Sequence, residues 1–388
     1  MRAFDAIVLG LGAMGSAATY QLAKAGRAVL GIDRHAPPHT LGSSHGETRI
    51  TRLACGEGAV YTQFVRRSHQ IWRELESQTG RELLTENGLL VISGRGPRAA
   101  NHEKPDFLKT TIEAAKIHEI AHEVLDGRTT KQRFAAFNVK DDDTIYFEPG
   151  AGFVRPEVCV STQLEIARSL GAVIHTGEKV ISFTPSATSV TVVTDKATYA
   201  AERLVLTAGP WLPTLLGGRL GDLFRITRQV LYWYRIDAPD NRAELYDPKH
   251  FPVFIWQLPA PQSIYGFPAI NGPRGGVKIA TEQYSQQSTA EGVDRTVTEE
   301  ETRHMYDRYI GPFFSDLALP CVKSTVCLYT CVDQARFIID FHPDSDRVII
   351  ASPCSGHGFK HSAGIGDALA QLVTDGKSQF DLASFRFN

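Results

Sequence analysis

The chain has 388 residues, 43% of them hydrophobic, enough to bury a large core and long enough to suggest two domains. A formal net charge of −2 leaves no basic footprint for nucleic acid and no polybasic patch for a membrane surface, so small molecules are the expected partners. No apolar stretch approaches the roughly 18 residues of a membrane span, a strand is expected from the first residues onward, and Arg386-Phe387-Asn388 is not a peroxisomal tail, so a cytoplasmic protein is expected.

In chain order, residues 4–9 read as a short apolar strand that runs into Gly10-Leu11-Gly12-Ala13-Met14-Gly15, and residues 16–25 then read as a small-faced helix ending at Gly26. Gly10 permits the tight turn, Gly12 lets a pyrophosphate approach the backbone, and Gly15 lets helix and strand pack closely. The helix N-terminus would face the phosphates. A second strand at 28–32 ends in Asp33, whose carboxylate suits the ribose hydroxyls of NAD or FAD and disfavours a 2′-phosphate. Pro37 and Pro38 stiffen the approach to residues 43–52, Ser-Ser-His-Gly-Glu-Thr-Arg-Ile-Thr-Arg, which bring His45, Arg49 and Arg52 together. An imidazole and two guanidiniums beside a cofactor suit an anionic substrate or the negative charge of a reduced flavin.

Residues 84–142 hold a strand at 88–93, a charged loop and a helix around 107–119. Strands of nucleotide-domain character recur at 6–9, 28–32, 172–175, 203–207 and 348–351, which implies one domain assembled from 1–83, 150–218 and 323–388. The other domain takes 84–149 and 219–322. After 203–207 the chain breaks into a turn with Ala208, Gly209 and Trp211, placed to close over the dinucleotide. From about 220 to 322 apolar and polar residues alternate, the signature of an antiparallel sheet able to roof a substrate cavity. Thr298 with Glu301 forms a capping-box pattern opening a helix to about 310.

Six cysteines, at 55, 159, 321, 327, 331 and 354, are too few and too scattered for a disulfide framework, and reduced thiols are expected. Cys327 and Cys331 lack the spacing of a metal site, so no metal is expected; by pattern alone Cys327 is a buried small hydrophobe on a strand. Near the end, Ser355-Gly356-His357-Gly358-Phe359-Lys360 follows a strand at 347–351 and precedes a helix beginning near Ser362. Backbone amides in such a turn can bind an anionic ring edge, such as the N1 and C2-carbonyl side of a flavin, and Lys360 can offer an ammonium to a carboxylate.

These stretches in this order, namely 10–15, 37–39, 42–52, 56–58, 265–268, Lys278, 327–329, 337–342 and 355–360, make the chain resemble the monomeric sarcosine oxidase and N-methyltryptophan oxidase family from residue 3 to about 387. The resemblance implies an α/β fold, with a Rossmann-like FAD domain of glutathione-reductase type and an antiparallel-sheet substrate domain. It also implies FAD bound through a thioether at Cys327, with Ser43, Ser44 and Thr48 among the cofactor contacts. Arg52 and Lys360 match the positions that hold a substrate carboxylate, His45 and Arg49 match basic residues beside the flavin ring, and Tyr265 matches a pocket tyrosine. Lys278 matches the lysine that promotes reaction with oxygen through a water over flavin N5. The implied chemistry is oxidation of a secondary amine to an imine that hydrolyses, with O2 reduced to hydrogen peroxide and no metal.

Three departures touch the substrate. Glu282 stands where the family often has a histidine, Cys55 replaces a tyrosine, and Pro353-Cys354 replaces Gly-Phe. Period two from Lys278 points Ala280 and Glu282 toward one cavity, where the carboxylate would offer two acceptors to a hydroxyl, ammonium or indole NH and favour a substrate larger than sarcosine. Rival readings are a related flavin oxidase of fructosyl amino acids, pipecolate or glycine, a nicotinamide dehydrogenase supported by the first glycine motif alone, and a non-catalytic FAD-binding protein.

Overall fold

A computed structural model of the chain describes residues 4–387 except 105, 260 and 261. The strand Phe4–Leu9 lies between Val29–Asp33 and Thr198–Leu206, parallel to both. Val173–Thr176 extends the parallel order on one side and Ser345–Ser352 on the other. Short apolar runs buried on both faces are the usual material of a parallel sheet, and the five strands expected for the nucleotide domain are these five. The helices Ala13–Lys24, Pro156–Ser169 and Ser362–Asp375 cover one face through a core that includes Leu22, Leu164 and Leu369. The first helix starts three residues earlier than expected, directly after Gly12, because the turn itself supplies its N-cap.

The second layer is a nine-stranded sheet in the order Gln287–Ser288, Arg225–Ile236, Val277–Thr281, Ile264–Phe267, Val253–Gln257, Leu89–Ser93, Thr144–Glu148, Glu123–Asp126, with Leu317–Cys331 paired to Arg225–Ile236. It is not purely antiparallel: Val253–Gln257 runs parallel to Leu89–Ser93. Both strands are buried on both faces, Leu90, Ile92, Phe254 and Trp256 facing one core and Leu89, Val91, Val253 and Ile255 another, so no polar alternation marks their orientation. A boundary at 323 also fails, because Leu317–Cys331 is one strand and Gln229 pairs with Cys327 within it. Cys327 therefore belongs to the nine-stranded sheet.

The expected capping box is present: Thr298 Oγ1 accepts from Glu301 N at 3.1 Å and Glu301 Oε2 from Thr298 N at 3.0 Å, opening Glu299–Met305, which continues as a wider turn over Tyr306–Ile310. A small sheet of Arg49–Thr51, Gly152–Val154 and Leu84–Glu86 carries the basic segment between the two layers. Among the described residues no helix is long and apolar enough to cross a membrane.

Candidate active site

A cleft of about 370 Å³ runs along the C-terminal ends of the parallel strands. At its floor Gly10 has φ +87°, and a Cβ there would lie 2.7 Å from Thr207 O, so the turn admits only glycine. Asp33 fastens this turn: its Oδ2 accepts from Leu11 N and its Oδ1 from His35 N, both at 2.7 Å. Gly12, Met14, Ser43, Ser44, Ala208, Gly209 and Trp211 line the cleft, as do Gly356, Gly358 and Phe359 at its far end. Gly15 does not line it; its Cβ would sit 1.8 Å from Gly10 O, so its role is close packing.

The cleft fits an extended dinucleotide. The first helix is capped by a glycine with no side chain, and Ser44 Oγ, which accepts from Ala13 N at 3.1 Å, is the polar side chain at its positive end, where a phosphate would be bound. The Ser43 side chain lines the cleft with its hydroxyl buried.

Arg49, Tyr329, Gly356 and Phe359 line both this cleft and a second cavity of about 60 Å³. At that junction Arg49 Nη1 donates to Thr48 O at 2.9 Å, while Nη2 donates to Ser43 O at 2.9 Å and lies 3.4 Å from Cys327 Sγ. Cys327 and Tyr265 line the smaller cavity, and the Tyr265 hydroxyl lies 3.4 Å from that of Tyr329. Burial pushes the Tyr265 phenol up to about 12, so it keeps its proton.

His45 does not supply the positive charge expected of it. Burial, then Arg49 and Lys278, drive its pKa down to about 3, so the ring is neutral and the fixed cation of the pair is Arg49. Thr48 also departs from expectation: it lies outside the cleft lining and holds Lys278, whose Nζ donates to Thr48 O at 2.7 Å, Thr48 Oγ1 at 3.0 Å and Gly46 O at 2.8 Å. Burial and then Arg49 push the Lys278 pKa well below 10.5. Three acceptors and the Phe267 ring face, 4.1 Å from Nζ, act the other way, and every N–H of an ammonium there has a partner.

Arg52 and Lys360 both line the smaller cavity and meet on a residue that lies outside its lining and is absent from the sequence expectations. Arg52 Nη2 donates to both oxygens of Glu57 at 3.0 Å, and Lys360 Nζ donates to Glu57 Oε1 at 3.0 Å and to His357 O at 3.0 Å. Burial alone would raise the Glu57 pKa, but the guanidinium and the ammonium outweigh it and hold the carboxyl well below the usual range. The segment is positioned from below by Glu148, which accepts from Leu53 N at 2.7 Å and Ala54 N at 3.2 Å. Cys55 is fully buried with its thiol pushed up to about 12 by that burial.

His357 and Lys360 face this cavity rather than the long cleft, and the His357 ring stacks on Phe337 with centroids 4.4 Å apart. Glu282 lines the cavity as period two suggested, yet its two oxygens are engaged: Oε1 lies 2.8 Å from His102 Nε2, and Oε2 accepts from His102 N at 3.0 Å. Glu57 had a faint sequence signal, a lone acid between two glycines just after two arginines. His102 had none, coming from a loop that reads as solvated charge.

A family model described as FAD dependent oxidoreductase matches residues 5–372. The monomeric sarcosine oxidase of Bacillus sp. (strain NS-129) is 36% identical over 391 residues, covering 99% of this chain and 96% of that protein. The N-methyl-L-tryptophan oxidase of Yersinia pestis (strain Pestoides F) is 32% identical over 386 residues, covering 98% of each. Among solved structures, NikD, described as an unusual amino acid oxidase essential for nikkomycin biosynthesis, superposes with a TM-score of 0.83 at 22% identity, covering 100% of this chain and 98% of that one.

Proposed function

This chain belongs to the FAD dependent oxidoreductases, in the family of monomeric sarcosine oxidase and N-methyltryptophan oxidase, and on that premise we propose that it oxidises the secondary amine of a small N-substituted amino acid, with O2 as the final acceptor. The observation that carries this reading is the convergence of Arg52 and Lys360 on one carboxylate oxygen, each at 3.0 Å, beside a cavity that adjoins the dinucleotide cleft. Two buried cations aimed at one carboxylate form a site for the carboxylate of an amino acid.

When bound, FAD supplies the hydride acceptor and the route by which two electrons reach O2, giving hydrogen peroxide. Arg52 and Lys360 take the substrate carboxylate as Glu57 gives it up, and so fix the amine and its N-substituent toward the junction at Arg49 and Tyr329. Tyr265 and Tyr329 present neutral hydroxyls there. The resulting imine leaves the cavity and hydrolyses in water to an amine and an aldehyde. Lys278, held by Gly46 and Thr48, is by the resemblance the residue that would stabilise charge developing on oxygen. Arg49 is the cation suited to an electron-rich ring edge. Cys327 is the proposed point of covalent attachment of FAD, supported by the resemblance at 327–329 and by the place of its sulfur beside Arg49 at the junction. We place the enzyme in the cytoplasm as a monomer, in line with the monomeric relatives and with six unpaired cysteines.

The test is anaerobic titration of the purified yellow protein with N-methyl amino acids while the flavin band is recorded. Bleaching by at least one of them supports the reading; a band that none of them changes overturns it.

A further inference from the structure

The loop between the strand Leu89–Ser93 and the helix Phe107–Ile117 enters the smaller cavity, and nothing in the sequence marks it as part of a site. It is pinned at the ends of two inner strands of the nine-stranded sheet: Ala99 N donates to Leu258 O at 2.9 Å, Gln257 Nε2 to Ala99 O at 3.1 Å, and Ser263 Oγ to Ala100 O at 3.1 Å. Its tip is a turn closed by Asn101 N donating to Lys104 O at 3.1 Å and Lys104 N to Asn101 O at 2.9 Å. The two residues inside that turn, His102 and Glu103, have φ of +48° and +59°, a conformation that costs free energy for side chains other than glycine and persists where surrounding contacts demand it.

Those contacts are two buried carboxylates, Glu282 on the cavity wall and Glu57 outside its lining. The His102 imidazole stands between them, Nε2 2.8 Å from Glu282 Oε1 and Nδ1 3.3 Å from Glu57 Oε1, while its backbone N–H takes the other oxygen of Glu282 and the Asn101 amide lies 2.9 Å from Nδ1. Glu282 is thus no free acceptor for a substrate side chain. The volume left is about 60 Å³. That is about one sixth of the neighbouring cleft, so the imidazole takes up space that a bulky substrate side chain would need.

We infer that His102 is a specificity-determining residue: by capping the cavity and clamping both oxygens of Glu282, it restricts this chain to small N-substituted amino acids. The inference rests on the proposed use of the cavity for an amino acid. Removing the imidazole would both enlarge the space and free the Glu282 carboxylate, so the excluded class is bulky amino acids whose side chain carries a hydrogen-bond donor.

The test compares wild-type holoenzyme with His102→Gly and His102→Asn. Both replacements tolerate a positive φ, so the turn keeps its backbone. Acetate and indole-3-acetate, which carry a carboxylate but no oxidisable amine, are titrated against the oxidised flavin band, and kcat/KM is measured for sarcosine and N-methyltryptophan. The expected result is that the wild type favours acetate and sarcosine, and that both variants shift each preference toward the indole compound by at least roughly tenfold, the scale on which pocket shape discriminates apolar groups. A change under about threefold in the acid-binding ratio, or a wild type that binds the indole acid as well as acetate, overturns the inference. If neither amine reduces the wild-type flavin, the proposed function fails, and the acid-binding ratio still decides the role of His102.

Discussion

Arg49 Nη2 lies 3.4 Å from Cys327 Sγ, and the same nitrogen donates to Ser43 O, so a guanidinium, a thiol and the mouth of the dinucleotide cleft share one point. If Cys327 carries the cofactor, acid-precipitated wild-type protein stays yellow, whereas Cys327→Ser releases all its flavin to the supernatant. Absorbance of pellet and supernatant checks this, and flavin retained by the variant would place the link elsewhere.

Lys360→Ala should weaken amino acid binding by at least roughly tenfold, since losing one partner of a buried charged pair costs on the order of 2–5 kcal/mol. Anaerobic titration gives the dissociation constant. Wild-type enzyme should discriminate against the decarboxylated analogue of any good substrate, and equal rates for the two would remove the carboxylate site from the mechanism.

Glu57→Gln should act in two opposite directions. It strips a buried carboxylate from two buried cations, a loss of roughly 3–5 kcal/mol in stability, while it removes the charge that competes with a substrate carboxylate for those cations. A lower Tm that acetate restores by more degrees than in wild type is the expected outcome. If acetate raises both melting points equally, Glu57 does not compete with the ligand.

The Glu57 carboxyl also fixes an acid limit. Its folded pKa lies below the ordinary 4.5, so the stability it contributes is complete above that pH and is lost as pH falls through the depressed folded value. Denaturant midpoints measured from pH 7 downward should fall more steeply below pH 4.5 for wild type than for Glu57→Gln.

Lys278→Met should leave anaerobic reduction intact and slow reoxidation by O2 by on the order of a hundredfold or more, the scale of deleting one preorganised electrostatic group. Burial and Arg49 lower the Lys278 pKa, so the charged form is lost at a pH below the 10.5 of a free lysine, and the oxygen reaction should decline with rising pH in that region. His45, neutral above about 3, should add no inflection near neutrality. Stopped-flow reoxidation across pH separates the two residues.

What the sequence made legible was local. Gly10, Gly12, Gly15 and Asp33 lie in one short stretch where strand, turn and helix follow directly, so their positions needed no tertiary information. Arg52 and Lys360 came from separate stretches and meet in space, but what they meet on did not show: a single acid between glycines has no period, and its pairing depends on the fold. His102 was hidden more deeply, because its place follows from a turn with two positive φ angles written in residues that rarely adopt them. The parallel pairing of Val253–Gln257 was invisible because a strand buried on both faces carries no polar face to orient it.

The strand Leu317–Cys331 ends its run with Cys327 hydrogen-bonded into the same sheet that carries Lys278 and Tyr265, while Gly12 and Asp33 sit on the other layer. If Cys327 carries the link, FAD seated at one end and tethered at the other would be a rivet through both halves of the molecule. Its insertion would be the last step of maturation, since both layers must already be folded and facing one another before the second end can be fixed.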